Sequence, residues 1–352
     1  MLICDLNYII SVLKGEAQSY QPNWYSVLGF LSCHKIEGLF YNRSCKQGIE
    51  LPKKIEKILR ETFERQQRKL ILMREGIKEI SQKLLQKQVP HILLKGSVLS
   101  NIGKDDIVIY EDGERTSNDI DLLVKSDEIS MTEKALYEAG FIQGEYDAEN
   151  GRIKEFSRFE IVKRRMNRGE LAPFIKLTGN KEFPFVEVDV NFSLGNTPTE
   201  GQTLLTEMID SATLYNGKIV MSVPTEELFF LHLIMHQYKE SCSLFMVERN
   251  KDLDLYKLAD IYYLLKADTL DRERIEKLVE KHALQHAMGA VLQQVGQAFA
   301  DKNIEDYSKK FETEQPTVID YENKKEYGWK NTIRARLGTF NAKKYLRERK
   351  KC

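Results

Sequence analysis

Two short segments, "DIDLLV" at residues 119–124 and "FVEVDVNF" at 185–192, most constrain what this chain can fold into. Both carry the two-residue period of a β-strand and both end in apolar residues, yet both hold carboxylates. In the first, Asp119 and Asp121 fall on one strand face, about 6.6 Å apart along the backbone, with Ile120 and Leu122 on the other. In the second, Val186, Val188 and Val190 share one face, and Glu187, Asp189 and Asn191 the other. If the two strands are neighbours, Asp189 lies about 4.8 Å from the first strand and three acids meet. Like charges this close raise one another's pKa and cost stability unless a cation intervenes. A hard, oxygen-seeking ion, Mg²⁺ or Mn²⁺, supplies that compensation. Pairs of such ions about 3.5–4 Å apart serve displacement at phosphorus, which makes phosphoryl chemistry the natural expectation. Taken alone, the Asp119-x-Asp121 doublet also suits the solvent face of an edge strand.

The surroundings are helical. Apolar spacings of three and four run through residues 3–88, most clearly from "KKIEKILRETFERQQRKLILMREGIKEISQKLLQKQ", with Pro52 suited to its first turn. Pro90 stops that helix, and "HILLKG" reads as a short buried strand entering a turn at Gly96 and Ser97, then a short helix. A helix over 128–139 follows the Asp strand and ends at Gly140. "SRFEIVKRR", "APFIKLTG" and "FPFVEVDVNF" read as further strands separated by Asn, Gly and Pro. Helical periodicity returns beyond Pro224. The expected fold class is α+β, a mixed β-sheet core flanked by N-terminal and C-terminal helical lobes. The expected divisions are 1–88 (helical), 89–222 (α/β core), 223–303 (helical lobe) and 304–352 (basic tail).

Lys plus Arg and Asp plus Glu both total 53 among 352 residues, so overall charge argues for no nucleic-acid, membrane or acidic partner. The five cysteines are odd in number, widely spaced and lack a CxxC pair, which speaks against a disulfide framework and a thiolate zinc site. With no signal-peptide pattern and no apolar run near the roughly 20 residues of a span, the expectation is a cytoplasmic protein that crosses no membrane.

Gly96 and Ser97 sit where a strand meets a helix, so free backbone N–H groups and the helix dipole could hold a triphosphate; an ordinary turn and N-cap give the same residues. Lys95 and Arg115 flank the acids in sequence and could neutralise phosphate charge. Arg158, Lys163, Arg164, Arg165 and Arg168, on or beside an expected strand, could bind phosphate or an acidic acceptor, or form a solvated face. His232 and His236 stand at i and i+4, but "HLIMH" lacks the Glu of a zinc protease. Asp260 places a carboxylate beside an apolar helix face. From Lys324 to Lys351 eleven Lys or Arg face two Glu, with Trp329 and Tyr345, a pattern compatible with a solvated helix, a disordered arm or a nucleic-acid contact.

Together, "LLKGSVLSNI", Arg115, "DIDLLV" and "VEVDVNF" resemble the nucleotidyltransferase superfamily of DNA polymerase beta and the aminoglycoside nucleotidyltransferases. With "LFFLHLIMH" and "DLDLYKLADIYYLL" added, residues 70–300 resemble a bacterial group labelled uncharacterised nucleotidyltransferase. The resemblance implies Asp119, Asp121 and Asp189 as catalytic metal ligands and Gly96 and Ser97 as the triphosphate cradle. Its implied reaction transfers a nucleoside monophosphate from a nucleoside triphosphate, ATP by default, to a hydroxyl or phosphate of a small-molecule or peptide/protein acceptor. It also suggests that Asp260 approaches the cleft, against the reading of a helix-surface acid; His236 is a candidate for the same cleft, with polar contacts at the lobe boundary as the alternative. The chain departs from the group in Asn191 and Glu240, where the group often has histidines, and it has twenty-one residues between Ser97 and Asp119. The alternatives are a catalytically silent nucleotide-binding or antitoxin-like module, and an enzyme acting on nucleic-acid or tRNA ends.

Overall fold

The computed structural model describes residues 2–349 apart from 18, 105–106, 116, 196–198, 200 and 340, and leaves the side chains of 103–104, 107–108 and 167–168 undescribed. The chain forms two compact units, one of residues 65–229 and one of 1–64 with 230–352.

The 65–229 unit is built on a six-stranded mixed sheet. Its strands are β1 (His91–Leu94), β2 (Ile120–Val124), β3 (Ile142–Asp147), β4 (Arg152–Glu155), β5 (Phe174–Leu177) and β6 (Phe185–Asn191). Across the sheet they stand in the order β1-β2-β6-β5-β3-β4. β2 and β6 run parallel and the other neighbours antiparallel. All five residues of β2 are buried, as suits a central strand covered on both faces. β6 alternates buried valines with partly exposed polar residues, the pattern its sequence carries. A long helix, α1 (Lys53–Gln86), packs against both strands through Gly76. A Cβ there would sit 3.2 Å from Ile120 Cδ1 and from Val186 Cγ1, so glycine permits this close approach. Other helices of the unit include α2 (Lys95–Leu99), α3 (Ile129–Glu138) and α4 (Arg158–Arg168).

Two features of this unit differ from the sequence expectation. Residues 157–165, expected as a strand, instead cap and begin the helix α4; Ser157 and Glu160 build a reciprocal capping box at its start, and Gly169 ends it in the left-handed conformation at φ 66°. That local capping outweighs the β-branched and aromatic residues that suggested a strand. The hairpin of β3 and β4 went unread, although its turn has a clear mechanism. Asp147 Oδ1 accepts from the amides of Glu149 and Asn150, and Gly151 takes φ 63°.

The other unit is mainly helical, with helices Ile3–Lys14, Trp24–Cys33, Glu37–Lys46, Leu255–Lys266, Arg272–Lys281 and Gln285–Phe299 among its elements. Within the described residues the basic C-terminal stretch is no free arm, and its α-helix is the short Ile333–Leu337. Val318–Asp320, Lys325–Trp329 and Leu346–Glu348 pair into a three-stranded sheet. It folds because Tyr327, Trp329 and Leu346 cover a small core of Val247, Val318 and Ala342. Among the described residues no helix is long and apolar enough to cross a membrane.

Candidate active site

The register of the sheet decides what the acids can do. Asp121 on β2 lies directly opposite Asp189 on the parallel neighbour β6. Asp119 stands one residue before β2, so the strand begins later than its sequence suggests. Its carbonyl accepts a 3.0 Å hydrogen bond from Ser117 Oγ. One carboxylate oxygen from each of Asp119, Asp121 and Asp189 lies within 4.8 Å of the others. Asp121 is 2% exposed, while Asp119 and Asp189 are partly open.

Crowding and burial set the electrostatics. Burial raises the Asp121 carboxyl to about 6, with Lys95 opposing and Asp119 adding to the rise. Burial, then the charges of Asp119, Asp121 and Glu187, raises Asp189 to about 8. Glu187, on the same face of β6, is also raised by burial and by Asp119. Three convergent carboxylates, with Asp121 and Asp189 raised in this way, form a donor set that fits a hard divalent cation and not a thiolate-seeking one.

Lys95 is drawn into this group. Leu94, the last residue of β1, is opposite Asp121. Lys95 follows at φ 49°, a left-handed conformation uncommon outside glycine, and its Nζ donates to Asp121 Oδ1 at 2.7 Å. The lysine expected at phosphate thus meets an acid. Gly96 is required for packing: a Cβ there would stand 2.6 Å from Ser117 Oγ, 2.8 Å from Ser117 Cβ and 3.5 Å from Arg115 Nη1. Ser97 is 1% exposed, and its hydroxyl has no hydrogen-bond partner among the described residues. Arg115 is partly exposed, and its charge lowers the Asp121 pKa. Lys95, Gly96, Ser97, Arg115 and the three aspartates therefore gather at one place.

A brace that sequence reasoning missed holds the segment carrying Arg115 and Ser117. Arg74, on α1, donates to both Asp112 oxygens at 2.6 and 2.7 Å, to Asn101 Oδ1 at 2.7 Å and to the Ser100 carbonyl at 3.2 Å. Lys218 adds a 2.6 Å contact to Asp112. Arg74 and then Lys218 hold the Asp112 carboxyl down at about 2. Partners 26 to 38 residues away leave no local signal for this brace.

His236 and Asp260 belong to the other unit. There, His236 Nε2 lies 3.5 Å from Glu240 Oε1. Glu240 pairs with the buried Lys257, which is 3.4 Å from Asp254. Asp260 is 2% exposed on the helix Leu255–Lys266. Glu240 thus has a cationic partner of its own.

Neither the curated proteins nor the solved structures include a significant match to the chain. The model of one family, described as an uncharacterised nucleotidyltransferase, matches residues 20–300 and takes in the whole acidic site. Since that match spans well over half of the 352 residues, the chain belongs to the uncharacterised nucleotidyltransferase family and is an enzyme of the nucleotidyltransferase class.

Proposed function

We infer that the protein transfers a nucleoside monophosphate from a nucleoside triphosphate, ATP by default, to a hydroxyl or phosphate of a small-molecule or peptide/protein acceptor. The observation that carries this reading is the convergence of Asp119, Asp121 and Asp189 beside the Gly96–Ser97 turn. In it, Asp119 and Asp121 hold two Mg²⁺ ions (Mn²⁺ in their place in the laboratory), and Asp189 completes one of the two sites. Bound there, the ions would supply activation of the attacking oxygen and neutralisation of the leaving group.

The remaining roles fall to the chain's own groups. Gly96 and Ser97 hold the triphosphate through backbone amides and the buried Ser97 hydroxyl, which lacks a partner among the described residues. Arg115 offsets phosphate charge, as does Lys95 once Asp121 has another cation. The acceptor oxygen bonds to the α-phosphorus while the bond to the β-phosphate bridging oxygen breaks. Pyrophosphate leaves, and Asp189, the partly exposed acid opposite Asp121, takes the acceptor's proton.

The test is incubation of the full chain with each α-labelled nucleoside triphosphate, Mg²⁺ and a broad acceptor panel. Pyrophosphate release that Asp121→Asn abolishes is the expected result. Nucleotide binding with no pyrophosphate from any of the four nucleotides would overturn the catalytic reading in favour of a regulatory nucleotide-binding module.

A further inference from the structure

The helix α4 leaves an apolar face uncovered. Phe159, Val162 and Met166, spaced three and four residues apart and so on one side of the helix, are 75%, 45% and 71% exposed. Isolated exposed apolar residues are ordinary, but three on one helix face form a patch. The same helix carries Arg158, Lys163, Arg164, Arg165 and Arg168 against the single acid Glu160. That acid is already engaged: its Oε2 accepts from the amide and hydroxyl of Ser157. In a chain whose charges otherwise cancel, this is a strong local excess.

The patch is tied to the catalytic strand. Beyond Gly169 the backbone is stitched to the end of β6: the Leu171 amide donates to the Val190 carbonyl and the Phe192 amide to the Gly169 carbonyl, both at 2.9 Å. Glu170 forms a bridge with Asn191, two residues past Asp189. Arg164, stacked 4.5 Å over the Phe156 ring, acts electrostatically on Glu187, which shares the Asp189 face of β6. A molecule lying along α4 therefore has the acidic site at its flank.

We propose that α4 is the acceptor-docking surface, and that the acceptor is an acidic polypeptide segment carrying apolar side chains. This rests on the transfer reaction above only for the word acceptor; the docking itself does not. Cations on the helix complement acidic residues, and exposed Phe, Met and Arg are the side chains that protein interfaces favour. A nucleic acid would satisfy the cations and leave Val162 and Met166 in water.

The probe is a fluorescein-labelled copolymer of glutamate and tyrosine, acidic and apolar, whose phenols are also acceptor hydroxyls. Its binding to the full chain is followed by fluorescence anisotropy at low salt with chelator present, so that no chemistry occurs. Wild type should bind with a Kd below about 100 µM. Phe159→Ser with Met166→Ser, both at exposed positions, should weaken binding about tenfold, and Arg158→Glu with Arg165→Glu at least as much. Asp121→Asn should bind as wild type does and yet lose label transfer to the copolymer in Mg²⁺, which separates docking from chemistry. Unchanged affinity in the Ser variant, no wild-type binding below that limit, or tighter binding of an oligothymidine or of anionic lipid vesicles would each overturn the proposal. Docking as described with no transfer to any acceptor would remove the catalytic reading and leave α4 as a polypeptide-binding surface.

Discussion

Replacing Asp189 by asparagine should stabilise the metal-free protein even as it disables the site. The folded-state value of Asp189 is about 8 against an ordinary 3.8, through burial and then the charges of Asp119, Asp121 and Glu187. Between about pH 4 and 8 the folded chain therefore holds a proton that the unfolded chain has released. Stability falls as pH rises through that window and levels off above it. Four units at 1.36 kcal/mol each set a ceiling of about 6 kcal/mol. Asp189 is coupled to the raised Asp121 and keeps some contact with water, which leaves about 1–3 kcal/mol recoverable at pH 8. Asparagine preserves the size of the side chain without the charge. Thermal unfolding in chelator should show the variant several degrees above wild type at pH 8, with the gap narrowing steadily as pH falls and closing near pH 4. Added Mn²⁺ should raise the wild-type midpoint at pH 8 and leave the variant largely unmoved. A variant less stable than wild type at pH 8, or a gap that does not change with pH, would refute the account of three acids in mutual repulsion.

Three further outcomes follow from the same geometry. Lys95→Met strips Asp121 of a cation 2.7 Å away, so the metal-free protein should lose about 2–4 kcal/mol in denaturant titration, with saturating Mn²⁺ restoring most of it; equal midpoints in chelator would contradict this. Gly96→Ala sets a methyl 2.6 Å from Ser117 Oγ, and calorimetry should find nucleotide affinity down about tenfold or more, with the melting midpoint lowered by an overpacking cost of about 1–3 kcal/mol. Arg74→Ala releases Asp112, and hydrogen exchange at residues 109–115 should quicken severalfold with the central strands unaffected; unchanged exchange there would show that the brace is redundant.

Much of the acidic face was readable because strand periodicity is local. Alternation in residues 185–191 separated Val186, Val188 and Val190 from Glu187, Asp189 and Asn191, as the burial of β6 shows. The helices on either side were equally visible from three-and-four spacing. The strand expected at residues 157–165 failed for a local reason too: Phe159, Ile161 and Val162 look strand-like, while the capping box of Ser157 and Glu160 specifies a helix. The C-terminal sheet escaped because its few apolar residues, Val318, Tyr327, Trp329 and Leu346, gain cover from one another and from Leu244, Val247 and Ala342.

What the sequence determined by itself is the inventory: two acid-bearing strands, a Lys-Gly-Ser turn and helical flanks, each set by residues a few positions apart. What only the tertiary structure decided is the pairing. The register that seats Asp189 opposite Asp121, the reach of Lys95 into the acids and the hold of Arg74 on Asp112 all join residues tens of positions apart. Such contacts depend on which strands become neighbours, and that is settled by burial of the whole sheet, which no short window of residues encodes.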